Sequence, residues 1–288
     1  MIEAEKANYS VSMMCDALGV SKSGFHAWRN RVSSARDEEN ARLLTAIRRS
    51  WMLSNRTYGS PRIHEDLVDD GWVVSQYRVA RMMRQNGIKG IKKGRYVHTT
   101  DSDHDLPIAP NLLDRNFDVD APNKVWVSDI CYIWTAQGFH YLCVVLDLFN
   151  REIVGWAMDR SRNTELVLSA LRRAVLFRQP DPGLLFHSDR GSQYASYDFD
   201  EALTDYGFVQ SMSRKGDCFD NAVVESFFST LRVELTYRHR WKTRVAAERY
   251  ISYYISSFYN HRRRHSTLGY LSPIQYRELH DHVQSDPA

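Results

Sequence analysis

Three apolar segments at hairpin spacing constrain this chain more than any other feature: VWVSDICYIW (125–134), FHYLCVVLDL (139–148) and REIVGWAM (151–158). Each is too short and too rich in β-branched and aromatic residues for a buried helix, so they read as successive strands. A helical pattern follows in NTELVLSALRRAVLF (163–177), then a strand in GLLFHS (183–188) and a helix in SYDFDEALTDYG (196–207). A short strand in FVQSMS (208–213) and a long helix in FDNAVVESFFSTLRVEL (219–235) complete the series. The order is β-β-β-α-β-α-β-α.

That order matches the ribonuclease H-like fold, an α/β architecture with a mixed five-stranded sheet flanked by helices. The expected partition is a helix-turn-helix over 1–34, a connecting helix over 35–55, a second helix-turn-helix over 56–91 and a linker over 92–123. A ribonuclease H-like catalytic core over 124–236 and a C-terminal helical extension over 237–288 follow. The polar, proline-bearing composition and weak periodicity of 92–123 identify the linker.

The all-α N-terminal region holds two copies of one layout. In the first, apolar positions Val11, Met14, Leu18, Val20, Phe25 and Trp28 fit two short helices, with Gly19 at the bend and Ser21 capping the second. The second helix would offer Lys22, Ser23, His26 and Arg29 to DNA. In the second copy Gly71 makes the turn and Ser75 the cap, and Arg62, Arg78 and Arg81 are its candidate DNA contacts. Charge supports this assignment. The chain carries +3 overall, but residues 1–100 hold 17 Lys and Arg against 10 Asp and Glu, so the positive excess lies in the helical region.

No apolar run is long enough to span a bilayer, and MIEAEKANYS lacks the form of a signal peptide, so a cytoplasmic protein without a membrane partner is expected. Cys15, Cys131, Cys143 and Cys218 are scattered, without a C-x-x-C pair, and read as reduced, mostly buried thiols.

Asp129 interrupts the apolar first strand, Asp189 ends the fourth, and Glu225 lies in the long helix on a flank shared with Asn221 and Arg232. The core stripe of that helix is Val224, Phe227, Phe228 and Leu231. In this fold order the first and fourth strands are neighbours, so the acids could meet. Converging carboxylates repel unless cations neutralise them, and oxygen-only ligands suit Mg²⁺ or Mn²⁺, two of which can stabilise the attacking and leaving oxygens of phosphoryl transfer. The competing reading gives each acid a local turn, cap or salt bridge.

Between Asp189 and Glu225 lie 35 residues. With the segments VWVSDICYI, DLFNREIVGWAM, HSDRGSQYAS, SRKGDCFDNAVVESFFSTLRVE and YNHRRRHSTLGYLSP, this spacing resembles the D,D-35-E signature of retroviral integrases and bacterial transposases. The same segments resemble OrfB, the catalytic protein of two-frame insertion sequences that move by copy-out and paste-in. The resemblance covers nearly the whole chain. Cys131 stands where that family usually has threonine.

The resemblance implies a DNA transposase with Asp129, Asp189 and Glu225 as catalytic metal ligands for two Mg²⁺ ions, Mn²⁺ being able to substitute. Gly191 would allow a sharp turn, Gln193 and Asn221 would touch DNA, and Arg232 would contact transposon-end DNA. Double-stranded DNA, as transposon ends and target, is the implied partner, with a homo-oligomer on DNA and an upstream-frame protein or frameshift fusion also implied. Association with the bacterial nucleoid would follow from DNA binding.

Weaker features have plainer readings. Asp147 fits an Asx-type turn. His261 and His265 have metal-ligand spacing without an accompanying acid, so Arg262, Arg263 and Arg264 between them are assigned to phosphate contacts. Tyr250, Tyr253, Tyr254, Phe258 and Tyr259 read as a helix face packed on the core. His187 is open between polarising the site and a structural role. The rival functions are a catalytically inactive DNA-binding regulator and a simple ribonuclease H-like nuclease that cleaves without joining.

Overall fold

Nearly continuous burial along the three apolar segments, with alternation clearest over residues 131–135, produces the sheet that the sequence pattern calls for. The structure is a computed structural model and describes residues 1–30, 34–91, 106–214 and 218–285, without the side chains of 218, 219, 284 and 285. The first part of the expected linker, 92–105, and the side chain of Cys218 therefore lie outside the described residues. The chain divides into two compact units, Met1–Arg49 and Ser50–Ala288.

The first unit contains α1 (Ile2–Glu5), α2 (Val11–Ala17), α3 (Lys22–Arg29) and most of α4 (Ala35–Leu53). Ser10 caps α2 by accepting from the Met13 amide, and Ser21 caps α3 by accepting from the Gly24 amide. Gly19 takes φ +65°, the left-handed conformation that a helix bend needs and glycine adopts without strain. Ile2, Cys15 and Phe25 form its small core, with Val11 and Met14 packed against them.

The second unit starts with the end of α4, then α5 (Ser60–Asp69) and α6 (Gln76–Gln85), joined through Gly71 at φ +84° and the Ser75 cap. These helices are tied to the C-terminal extension. Arg264 pairs with Asp66 at 2.5 Å and with Asp69, and the Tyr58 hydroxyl donates to the Arg262 carbonyl while accepting from the Arg264 amide.

The sheet has strand order β3-β2-β1-β4-β5, from β1 (Val125–Thr135), β2 (Gly138–Asp147), β3 (Ile153–Asp159), β4 (Leu185–Ser188) and β5 (Val209–Met212). β1 runs antiparallel to β2 and parallel to β4, β2 antiparallel to β3, and β4 parallel to β5. This is the mixed five-stranded sheet expected. α7 (Thr164–Arg178) packs closely on β3: a Cβ at Gly155 would stand 2.4 Å from the Ala170 carbonyl oxygen, so no larger residue fits there. α8 (Tyr197–Asp205) precedes β5, and α9 (Ala222–Glu234) carries the third acid. The core gathers Trp126, Phe186, Phe199 and the inner face of α7. α10 (Arg244–Tyr253) runs directly into a π-helical segment, Tyr254–Tyr259, before α11 (Pro273–Ser285). Tyr254, Phe258 and Tyr259 are buried as expected, but Tyr250 and Tyr253 are 48% and 63% exposed, so the aromatic run splits between core and surface.

The described end of the linker is not loose. Leu106 and Ala109 pack on the core, Leu113 is buried, and Ser211 Oγ accepts from the Leu112 and Leu113 amides. Beside it, buried Asp220 accepts from Arg214, Arg115 and Asn111. Burial alone would raise the Asp220 carboxyl, but the Arg214 and Arg115 hydrogen bonds hold it down at about 2. A carboxyl lowered on folding adds stability that is present above its unfolded value near 4 and lost as pH falls towards 2. Asp220→Asn is therefore expected to be less stable than the wild type by about 2 kcal/mol at pH 7. The difference should shrink towards zero between about pH 5 and pH 2, as measured by urea unfolding across that range.

Candidate active site

β1 and β4 pair in parallel through Ser128 and Ser188, and one step further along each chain stand Asp129 and Asp189. Parallel pairing thus brings two carboxylates to the end of the β1–β4 ladder, Asp129 inside β1 and Asp189 just past β4. Asp129 is 8% exposed and accepts one bond from its neighbour, the Ile130 amide at 2.7 Å. Burial pushes its carboxyl well above the usual range, and the charges of Asp189 and Glu225 push it further. Arg232 acts in the opposite sense on both Asp129 and Glu225, the latter also raised by burial. The three acids and the arginine therefore lie within one electrostatic neighbourhood.

Asp189 is held by the Gly191 amide, which donates to its Oδ1 at 2.9 Å. A Cβ at Gly191 would lie 3.0 Å from that same oxygen and 3.0 Å from Gln193 Oε1. Glycine here leaves room for both side chains rather than supplying a left-handed φ, and a larger residue would need them to shift by a few tenths of an ångström.

Ser128 joins the elements that carry the acids. Its hydroxyl donates to the Val144 carbonyl at 2.8 Å and lies 2.7 Å from the Tyr194 hydroxyl, five residues after Asp189. Its carbonyl accepts from Asn221 Nδ2 at 3.1 Å, four residues before Glu225. All three side chains are buried. Sequence reading missed Ser128 and Tyr194; a serine and a tyrosine beside strand ends carry no signal until the fold pairs them.

α9 presents Val224, Phe227, Phe228 and Leu231 to the core, as its periodicity predicted, with Glu225 and Arg232 half-buried on the flank. Asn221 is placed differently from expectation. It is 5% exposed and bonded to β1, so it sets the start of the helix rather than facing DNA. Gln193 is half-buried and donates to the Arg162 carbonyl. His187 is buried between the Ser211 and Ser213 hydroxyls, and burial lowers its ring to about 4, which makes it a neutral structural residue. Asp147 forms the expected turn, accepting from the Phe149 and Asn123 amides.

Lys22, Ser23, His26 and Arg29 are exposed on α3, with Arg29 3.8 Å from Glu3. On α6, Arg81 is exposed and Arg78 half-buried. Arg262 is exposed, whereas the assignment of Arg263 and Arg264 to phosphate contacts needs correction. Arg263 is buried against Glu234 at 2.8 Å, and Arg264 is committed to Asp66 and Asp69. Arg62 lies 3.9 Å from Glu234 and over the Tyr58 ring. His265 is buried and stacked edge-on with Tyr259.

The donor chemistry of the three acids fits a hard divalent cation, and the repulsion around Asp129 is the energy that such a cation would reverse. Among the described residues, however, no three acidic, histidine or cysteine side chains already stand close enough to hold an ion. β1, the loop after β4 and α9 place the three acids in one electrostatic neighbourhood.

Residues 119–218 and 206–273 match family models described as Integrase core domain, and residues 38–96 match one described as HTH-like domain. The chain is 41% identical over 265 residues to the Insertion element IS600 uncharacterized 31 kDa protein of Shigella sonnei, covering 92% of this chain and 97% of that one. It is 34% identical over 278 residues to the Transposase InsF for insertion sequence IS3A of Escherichia coli strain K12, covering 96% of each.

The raised Asp129 carboxyl implies a stability cost once it ionises. A carboxyl raised on folding weakens the fold as pH climbs from its unfolded value near 4 through its folded value. Asp129→Asn should therefore melt higher than the wild type at pH 8 without divalent cations, and the gap should narrow towards pH 4. Calorimetric scans at several pH values check this, and a lower melting temperature at pH 8 would contradict it.

Proposed function

Since the chain belongs to the transposases of the IS3-type insertion sequences, whose integrase core it shares, we propose that Asp129, Asp189 and Glu225 carry its strand cleavage and strand transfer at insertion-sequence ends. The observation that carries this assignment is the buried Asp129 carboxylate, bonded among the described residues to the Ile130 amide alone and standing beside Asp189 where β1 and β4 stop pairing. A structural acid would instead be neutralised by a neighbouring cation.

The three carboxylates are the residues that would hold Mg²⁺ or Mn²⁺, and a two-ion arrangement would supply a nucleophilic oxygen at neutral pH and neutralise charge on the phosphate. The reaction needs no covalent protein intermediate. Water first attacks a phosphodiester at the element's end, its proton passes to solvent, and the P–O3′ bond breaks to leave a 3′-hydroxyl. That hydroxyl then attacks a second phosphodiester, forming one P–O bond as another breaks, and the departing oxygen takes up a proton.

The chain's own contribution is geometric. Ser128 and Asn221 fix α9 against β1, Gly191 and Tyr194 fix the second-acid loop, and the low exposure of Asp129 limits water around the reacting phosphate. Arg232 lies about 20° around α9 from Glu225 and roughly 10 Å further along, so its guanidinium suits an end-DNA phosphate. Lys22, His26 and Arg29 on α3, with Arg78 and Arg81 on α6, are the proposed contacts with double-stranded DNA, and Gln193 and Arg262 are further candidates. Residues 1–34 and 56–91 would thus serve recognition and 124–236 the chemistry. A homo-oligomer assembled on DNA, an upstream-frame partner or fusion and a cytoplasmic, nucleoid-associated location complete the proposal. No helix among the described residues is long and apolar enough to cross a membrane.

Asp129→Asn, Asp189→Asn and Glu225→Gln should each abolish cleavage and joining of labelled element ends while retaining DNA affinity within about threefold. Near-normal cleavage by one of them would remove that residue from the site. Cleavage without joining by the intact chain would favour the simple nuclease, and binding with neither reaction the inactive regulator. Arg232→Ala should lose activity on intact ends by about tenfold or more while keeping cleavage of a pre-nicked substrate. Equal loss on both substrates would place Arg232 among the supports of the carboxylates.

A further inference from the structure

Around α9 from Glu225, on the flank that carries Ser226 and Thr230, lies a cavity of about 390 Å³. Three guanidinium groups line it: Arg62 from α5, Arg151 from the turn between β2 and β3, and Arg263 from the segment after the π-helical turn. Their charge is poorly balanced. Glu234 takes Arg263 in a two-pronged ion pair and stands 3.9 Å from Arg62, so one carboxylate serves two arginines. Arg151 donates from Nη2 to the Phe117 carbonyl at 3.3 Å, while its Nη1 is buried with no hydrogen-bond partner among the described residues. It does feel the charges of Asp147 and Asp118, but Asp147 already accepts from the Asn123 and Phe149 amides and faces Arg178 at 3.6 Å. His265, also in the wall, is driven well below its usual value by burial and then by Arg263, Arg62 and Arg151. Arg62 keeps about a quarter of its side chain accessible and has the shared Glu234, at 3.9 Å, as its ion partner among the described residues, so an anion in the cavity would relieve charge that the fold leaves partly unmet.

We propose that this cavity seats one phosphodiester group of a DNA strand, with Arg62 and Arg151 as its charged contacts and the exposed Ser266 and Thr267 hydroxyls at its mouth. The size favours a sugar-phosphate unit over a bare phosphate ion, since small-molecule sites begin at about 300 Å³. Ser226 and Thr230 lie about 100° and 140° around the helix from Glu225, so this seat is separate from the reacting phosphate. It would hold the strand on a second flank of the helix that bears the third acid. The proposal rests on the reading of this chain as an enzyme of DNA ends, but its test reads anion and DNA binding rather than strand transfer.

Thr267→Glu places a tethered carboxylate at the mouth, and Thr267→Gln controls for bulk. In chloride buffer without phosphate, the full-length Thr267→Glu protein should melt about 2 °C above the wild type, while Thr267→Gln should not. Inorganic phosphate should raise the melting temperature of the wild type and of Thr267→Gln but not of Thr267→Glu. Binding of duplex DNA by Thr267→Glu should weaken about tenfold. The slope of log affinity against log salt should fall by about 0.9, the value for one lost phosphate contact. In an Arg151→Gln background the same substitution should cost no further affinity. Equal stabilisation of all three proteins by phosphate would overturn the site. Selective stabilisation with an unchanged salt slope would overturn the DNA assignment in favour of a free phosphate ligand. Loss of strand transfer in a chain that still shows these binding differences would count against the functional reading alone.

Discussion

Ser128 is the residue through which the candidate site is assembled. Its hydroxyl reaches Val144 on β2 and Tyr194 in the loop after β4, and its carbonyl holds Asn221 at the start of α9. Asp129, Asp189 and Glu225 occupy those same strand ends, loop and helix, so one buried polar cluster sets their relative positions. Such clusters are directional. Apolar packing alone would allow α9 to slide or rotate by a fraction of a turn, whereas a bond of 3.1 Å to a strand carbonyl fixes its first turn. The Asn221 Oδ1 atom remains buried without a partner among the described residues, which makes this cluster costly to maintain and sensitive to substitution.

The far end of α9 is fixed by charge instead. Glu234 is buried and accepts from Arg263 and from the Tyr254 hydroxyl at 2.8 Å, which ties α9 to the C-terminal extension. Arg264, the next residue, reaches back to Asp66 and Asp69 on α5. Two consecutive arginines therefore connect α9, the C-terminal segment and the second helical pair. Removing one partner from such a buried pair typically costs about 3–5 kcal/mol, because the remaining charge stays desolvated. The HRRRH segment is consequently a structural joint at its second and third arginines, with His261 and Arg262 turned to the surface.

Most of the architecture was legible because its signals are local. Short apolar runs at hairpin spacing located β1 to β3, the Gly19 and Gly71 turns and the Ser21 and Ser75 caps located the helical pairs, and the apolar stripe of α9 fixed which face would be buried. What escaped depends on partners distant in sequence. Arg263 and Arg264 look like any exposed basic run until Glu234, 29 residues earlier, and Asp66, 198 residues earlier, come into contact with them. Asn221 falls on the correct flank of a helical wheel, yet the wheel does not show that β1 crosses there. The described part of the linker reads as polar and irregular, and its docking through Leu113 and Ser211 has no periodic signature. His187 could be assigned only once Ser211 and Ser213 were placed on either side of its ring.

Buried carboxylates in this fold separate by how their charge is met. Asp220 has two arginines and a backbone amide, and its carboxyl falls to about 2 despite burial. Glu234 has Arg263 on both oxygens. Asp147 is raised by burial, but two backbone amides and the nearby Arg178 offset much of that cost. Asp129 accepts a single amide, from its own neighbour, and the other charges nearest to it include two further acids. Arg232 is shared between Asp129 and Glu225, so it cannot neutralise both. The fold thus meets the charge of Asp220 and Glu234 with arginines and leaves Asp129 short of positive charge. That shortage is unfavourable for stability and favourable for attracting a cation, and it sets Asp129 apart from Asp220, Glu234 and Asp147 in a way that burial alone does not.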